Sequence, residues 1–123
     1  MVIDDDFGVR SAVSLAFERD LDIYEASDGE EALREIALRN PDVIFLDLEF
    51  DGVCRGWDIL DQIRKSGSKA LILILTANSK EYKNPRLKNA DGFFDKFDGF
   101  TPVRDYLVGK GLIKSREEPE PES

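Results

Sequence analysis

Three acids in a row, Asp4, Asp5 and Asp6, and three separate residues, Asp47, Thr76 and Lys96, share one feature of placement. Each stands at or just beyond the end of a short apolar run: "MVI", "VIFL", "LILIL" or "FFD". Carboxylates gathered in one place repel one another, so their convergence implies a hard divalent cation. Oxygen donors without histidine point to Mg²⁺, with Mn²⁺ as the alternative. A carboxylate beside such a cation, an ammonium and a hydroxyl has the parts of a phosphoryl acceptor. The carboxylate attacks, the cation bridges it to the phosphoryl oxygens, the lysine neutralises another oxygen, and the hydroxyl donates a hydrogen bond.

These residues meet only if the apolar runs lie side by side and point the same way. The periodicity supports this, alternating strand and helix five times. "MVI" is followed by helical spacing over 7–19, and "LDIYEA" by "GEEALREIALRN", which Ser27-Asp28 start and Asn40-Pro41 end. "DVIFL" precedes "GWDILDQIRKSG". "ALILIL" precedes "NSKEYKNPRLKNA", a stretch short for a helix and interrupted by Pro85. "DGFFD" precedes "TPVRDYLVGKG", where Thr101 is the expected N-cap, Pro102 lies in the first turn, and Gly109 or Gly111 ends the helix. The third and fourth strands are continuously apolar, as inner members of a parallel sheet covered on both faces must be. The expected fold is a doubly wound α/β three-layer sandwich, whose ligand site lies beyond the carboxyl ends of the strands.

Composition narrows the chemistry. The 123 residues suffice for one core, and no apolar stretch is long enough to span a bilayer, so a cytoplasmic protein is expected. With no histidine and one cysteine, Cys54, which is expected to be inert, zinc sites, serine-type triads and internal disulfides are poor candidates. A net charge of −9 argues against holding nucleic acid through a basic surface. Four of the acids, Glu117, Glu118, Glu120 and Glu122, lie in the closing "REEPEPES", which reads as a solvated tail or linker. The expected organisation is a folded domain over 1–112 and an acidic tail over 113–123. Only three residues precede the first acid, as in a chain shortened at its start.

Taken together and in order, "VIDDDFGVR", "VIFLDLEF", "LILTA" and "FFDK" resemble the receiver domain of two-component response regulators. The resemblance implies the flavodoxin-like (βα)5 fold with strand order 2-1-3-4-5. It makes Asp47 the phosphoacceptor, Asp5 a direct metal ligand and Asp4 a direct or water-mediated one. It gives Glu49 a metal-facing backbone carbonyl, has Thr76 sense the phosphoryl group and Lys96 pair with it, and puts Phe93 at a switching aromatic position. Asp6 is left to start a helix. The implied function is phosphoryl acceptance from a sensor histidine kinase or phosphotransfer protein, switching contacts with a downstream protein or fused output domain. The implied chemistry is confined to the protein's own aspartate, and a homodimer is compatible with it.

Departures from the family pattern are specific. Asp51 stands where the family has proline, Gly56 comes nine residues after Asp47 rather than eight, and Lys96 is followed by Phe97 instead of proline. They favour, as the alternative, a receiver that serves as a phosphorylation-independent interaction scaffold. A third reading rests on "DLEFDG", which is similar to the aspartate motif of haloacid-dehalogenase-like phosphatases. That motif needs a second aspartate where Glu49 stands, and the chain offers little spare length for a cap domain.

Overall fold

A computed structural model describes residues 1–50, 55–77 and 79–115. The acidic loop 51–54, with Cys54, and the tail 116–123 therefore lie outside the described residues. Five strands, β1 (Val2–Ile3), β2 (Glu25–Ala26), β3 (Val43–Leu46), β4 (Leu71–Thr76) and β5 (Gly92–Asp95), form one parallel sheet of order β2-β1-β3-β4-β5. Among the described residues four α-helices flank it: α1 (Phe7–Phe17), α2 (Gly29–Arg39), α3 (Gly56–Lys65) and α4 (Thr101–Gly109).

Alternation along the strands divides the core between two faces. Ile3, Ile44, Leu46, Ile72 and Ile74 pack with Ala32 and Ile36 of α2 and Leu60 and Ile63 of α3. Val2, Val43, Phe45, Leu73 and Leu75 pack with Val13 and Phe17 of α1 and Val103 and Leu107 of α4. Each fully buried aliphatic or aromatic side chain contributes about 1.5–3 kcal/mol. The Phe17 and Phe45 rings stack with centroids 5.3 Å apart, fixing α1 over the centre of the sheet. Ile113, one residue past the expected domain boundary at 112, is buried in this second layer.

Most helix boundaries follow the expected chemistry. The Asp6 carboxylate caps α1 by accepting from the backbone N–H groups of Gly8 and Val9. Asp28 caps α2 by accepting from Glu31 N–H, while the Glu31 carboxylate accepts from the N–H of Ser27, the residue before the cap. Asn40 ends α2 in the left-handed conformation, φ 46°.

Three expectations need correction. The strand expected over 21–26 pairs only at Glu25–Ala26, because its sole neighbour, β1, offers two residues. Thr101 is the first residue of α4 rather than its cap; Phe100 occupies the cap position and makes no side-chain cap bond. The fourth strand–helix repeat is not completed by an α-helix. Two 3₁₀ turns, Ser79–Lys83 and Pro85–Asn89, stand there. Pro85 has no N–H to continue a helix and starts the second turn, whose backbone at Arg86 is capped by Asn84 Oδ1 at 2.9 Å.

Candidate functional site

Backbone pairing brings the strand ends together. Asp47 N–H donates to Ile3 O at 3.0 Å, which sets Asp47 beside Asp4 at the end of β1. Thr76, the last residue of β4, is in register with Asp95, which places Lys96 immediately beyond it. Four of the expected residues thus reach one edge of the sheet. Among the described residues Asp4, Asp47 and Thr76 are the buried polar ones, at 2%, 5% and 0% exposure in a core otherwise apolar. Burial on this scale requires partners for each carboxylate.

The partners are present. Lys96 Nζ lies 2.8 Å from Asp4 Oδ2 and 3.2 Å from Asp47 Oδ2. Asp47 Oδ1 accepts from Leu48 N–H at 2.8 Å, and Asp4 Oδ1 from Asp6 N–H at 2.9 Å. One oxygen of each of Asp4, Asp5 and Asp47 falls within 4.8 Å of the others, with Asp5 exposed at the rim. Two buried carboxylates and one exposed carboxylate at this spacing suit a divalent cation that prefers oxygen and keeps part of its water shell. The Glu49 carboxylate stands outside both this group and the Lys96 ion pairs.

Electrostatics reflect that crowding. Burial, and then the charge of Asp4, raise the Asp47 carboxyl to about 6, against the opposing pull of Lys96 and a hydrogen bond from the Glu49 backbone. Burial works to lower the Lys96 ammonium, but its hydrogen bond to Asp4 and the charges of Asp47 and Asp4 outweigh this, so its pKa is raised. Phe93 is half-buried on β5 and packs against the α2–α3 layer, whereas Phe94 faces α4 and meets the Tyr106 ring edge-on. The Lys96–Phe97 peptide is trans, as expected without a following proline.

Two residues support the site from outside it; Arg10 had no sequence-based role, and Gly56 was noted only for its spacing from Asp47. Arg10 donates from Nη1 to Asp4 O at 2.8 Å and pairs through Nε with Glu25 at 3.1 Å, holding the backbone of the acidic run. Gly56 N–H donates to Leu48 O at 2.8 Å, and a Cβ at Gly56 would lie 2.3 Å from Asp47 O and 2.4 Å from Leu48 Cα. Only glycine permits α3 to start this close to the Asp47 backbone. The six-residue spacing of Arg10 from Asp4 and the glycine at the helix start were the visible signals.

A doubly wound sheet with an acid triad, a hydroxyl and a lysine at its carboxyl edge is the arrangement of a receiver domain, and the sequence comparisons agree. The response regulator receiver domain family matches residues 1–97, and the chain belongs to that family. Among relatives, the alkaline phosphatase synthesis transcriptional regulatory protein PhoP of Bacillus subtilis is 34% identical over 86 residues, covering 67% of this chain and 34% of PhoP. The response regulator TrrA of Thermotoga maritima, solved in complex with Mg²⁺-BeF, is 30% identical. It superposes with TM-score 0.79 over 91% of this chain and 96% of TrrA. TrrA solved in complex with the histidine kinase ThkA gives TM-score 0.77 at 30% identity, over 90% of this chain and 94% of that one. The chain spans about a third to a half of the length of curated relatives it matches. No helix among the described residues is long and apolar enough to cross a membrane.

Proposed function

We propose that this receiver accepts a phosphoryl group on Asp47 from a histidine kinase or phosphotransfer protein. The observation that carries this reading is the buried Asp47 carboxylate, 3.2 Å from Lys96 and grouped with the carboxylates of Asp4 and Asp5. A phosphorus–oxygen bond forms at the Asp47 carboxylate while the bond from phosphorus to the donor's nitrogen or oxygen breaks, its electron pair leaving with the donor. Asp4, Asp5 and Asp47, with the Glu49 backbone carbonyl, would hold Mg²⁺, or Mn²⁺ with the same oxygen donors. When bound, the cation neutralises charge on the phosphoryl oxygens. Lys96 supplies fixed positive charge, and the Thr76 hydroxyl donates to the transferred group.

The switch follows from burial. Added charge beside the fully buried Thr76 draws its hydroxyl toward the phosphoryl group, and the half-buried Phe93 on the neighbouring strand repacks, shifting a pre-existing equilibrium. Water attack on the acyl phosphate resets Asp47, so the chemistry stays within this chain. The ThkA complex of TrrA supports a kinase as donor. Phe7 and Phe97, 71% and 83% exposed, follow the acidic run and Lys96 closely in sequence and offer apolar anchors for it. The length of PhoP beyond the matched region supports a fused output domain as the recipient of the signal, with a separate downstream protein as the alternative.

Incubation with acetyl phosphate and Mg²⁺, followed by intact mass, tests this. The expected result is one added phosphoryl group, absent without Mg²⁺ and in Asp47→Asn. The 3₁₀ turns in place of a fourth helix favour a second reading, the interaction scaffold, which predicts no mass gain in folded protein that still binds Mg²⁺.

A further inference from the structure

The two 3₁₀ turns over 79–89 cannot hold themselves in place. Runs of 3₁₀ bonds are short and poorly aligned, and the second turn contains no buried residue, with Leu87 only packing against the core from its edge. Side chains of α3 hold the segment instead. The indole of Trp57, 2% exposed, donates to Glu81 Oε2 at 2.9 Å, and the same oxygen accepts from Asn84 Nδ2 at 3.1 Å. Arg86 reaches both Asp58 and Asp61, at 2.8 and 2.5 Å.

The Trp57 end of this network is built onto the acceptor. Trp57 follows Gly56, whose N–H donates to Leu48 O and whose contact with the Asp47 carbonyl leaves no room for a Cβ, so the first turn of α3 packs directly on the Asp47 backbone. The Glu81 end lies five residues past Thr76. We propose that the Trp57–Glu81 hydrogen bond is a latch through which the state of the Asp47 site sets the position of segment 79–89. Glu81 is then a positioning residue that takes no part in phosphoryl chemistry. What the latch controls is presentation of exposed Lys80, Tyr82 and Lys83, a cationic and aromatic patch on an acidic chain. The coupling half of this inference rests on Asp47 being the acceptor, whereas the restraint itself does not.

Hydrogen exchange of peptides covering 79–89, with and without Mg²⁺ and beryllofluoride, tests both halves in wild type, Glu81→Ala and Glu81→Gln. Without ligand, Glu81→Ala should exchange several-fold faster over 79–89. Glu81→Gln, whose carbonyl accepts the same indole N–H, should restore the wild-type rate. With ligand, wild type should respond over 79–89 and Glu81→Ala should not, although intact mass shows that its Asp47 still takes a phosphoryl group from acetyl phosphate. Equal ligand-free exchange in wild type and Glu81→Ala overturns the latch, as does a wild-type ligand response in Glu81→Ala or its loss of phosphoryl uptake. If wild type neither gains mass nor responds, the acceptor reading fails while the ligand-free comparison still decides the restraint.

Discussion

Lys96 Nζ stands 3.2 Å from Asp47 Oδ2, and the same ammonium is 2.8 Å from Asp4 Oδ2, so one cation is shared by two buried carboxylates. Removing it leaves Asp4 and Asp47 to repel each other where solvent cannot screen them. Lys96→Ala should therefore slow phosphoryl uptake from acetyl phosphate about 100-fold, the scale of losing one preorganised charge at a transition state. The rate of mass gain measures it, and a change under threefold would remove Lys96 from the chemistry.

The raised Asp47 carboxyl predicts a particular pH dependence in the absence of divalent cations. Its pKa is about 6 in the folded chain against 3.8 ordinarily, so the folded state binds the proton more tightly. The associated stability is full below about pH 4 and is lost as pH rises through 6, by up to about 3 kcal/mol. Asp47→Asn has no such proton to lose. In EDTA, its Tm relative to wild type should rise between pH 4.5 and 7.5, and a constant difference would refute the shift.

Divalent cation should reverse that penalty. Mg²⁺ at about 100 times its Kd stabilises a protein that binds it only when folded by about 2.7 kcal/mol. Wild type should show a Tm rise of several degrees on Mg²⁺ addition. Asp5→Asn, which removes the exposed member of the triad with least disturbance to the core, should need distinctly more Mg²⁺ for the same rise. An identical titration would exclude Asp5 as a ligand.

Glycine substitutions separate packing from propensity. At Gly56 an added methyl meets Asp47 O at 2.3 Å, so Gly56→Ala must displace α3 or the Asp47 backbone, at a cost of about 2 kcal/mol or more. At Gly109 no atom lies within 4 Å, and Gly109→Ala should change stability by no more than about 1 kcal/mol. Urea midpoints of the two variants check the contrast. Equal effects would mean that the close approach at Gly56 is not required.

What could be read from the sequence was whatever local pattern determines. The runs through Val43–Leu46 and Leu71–Thr76 are apolar at every position but the last threonine, which marks them as inner strands and directs attention to Asp47, Thr76 and their counterparts. Parallel pairing then brings those ends together without further information. What could not be read depends on partners distant in the chain. The brevity of β2 follows from that of β1, and the clamp on the 3₁₀ segment joins Trp57 to Glu81, 24 residues apart. The placement of Phe100 rather than Thr101 at the start of α4 shows that a good capping residue marks a helix start only to within a residue.

On the proposed reading, Asp47 itself carries the phosphoryl group. Borohydride reduction of protein treated with acetyl phosphate and Mg²⁺ converts an acyl phosphate to the corresponding alcohol, and peptide mapping locates the reduced side chain. The expected product is homoserine at position 47 and nowhere else. Reduction at Asp4 or Asp5, or none in protein that has gained a phosphoryl group, would contradict it.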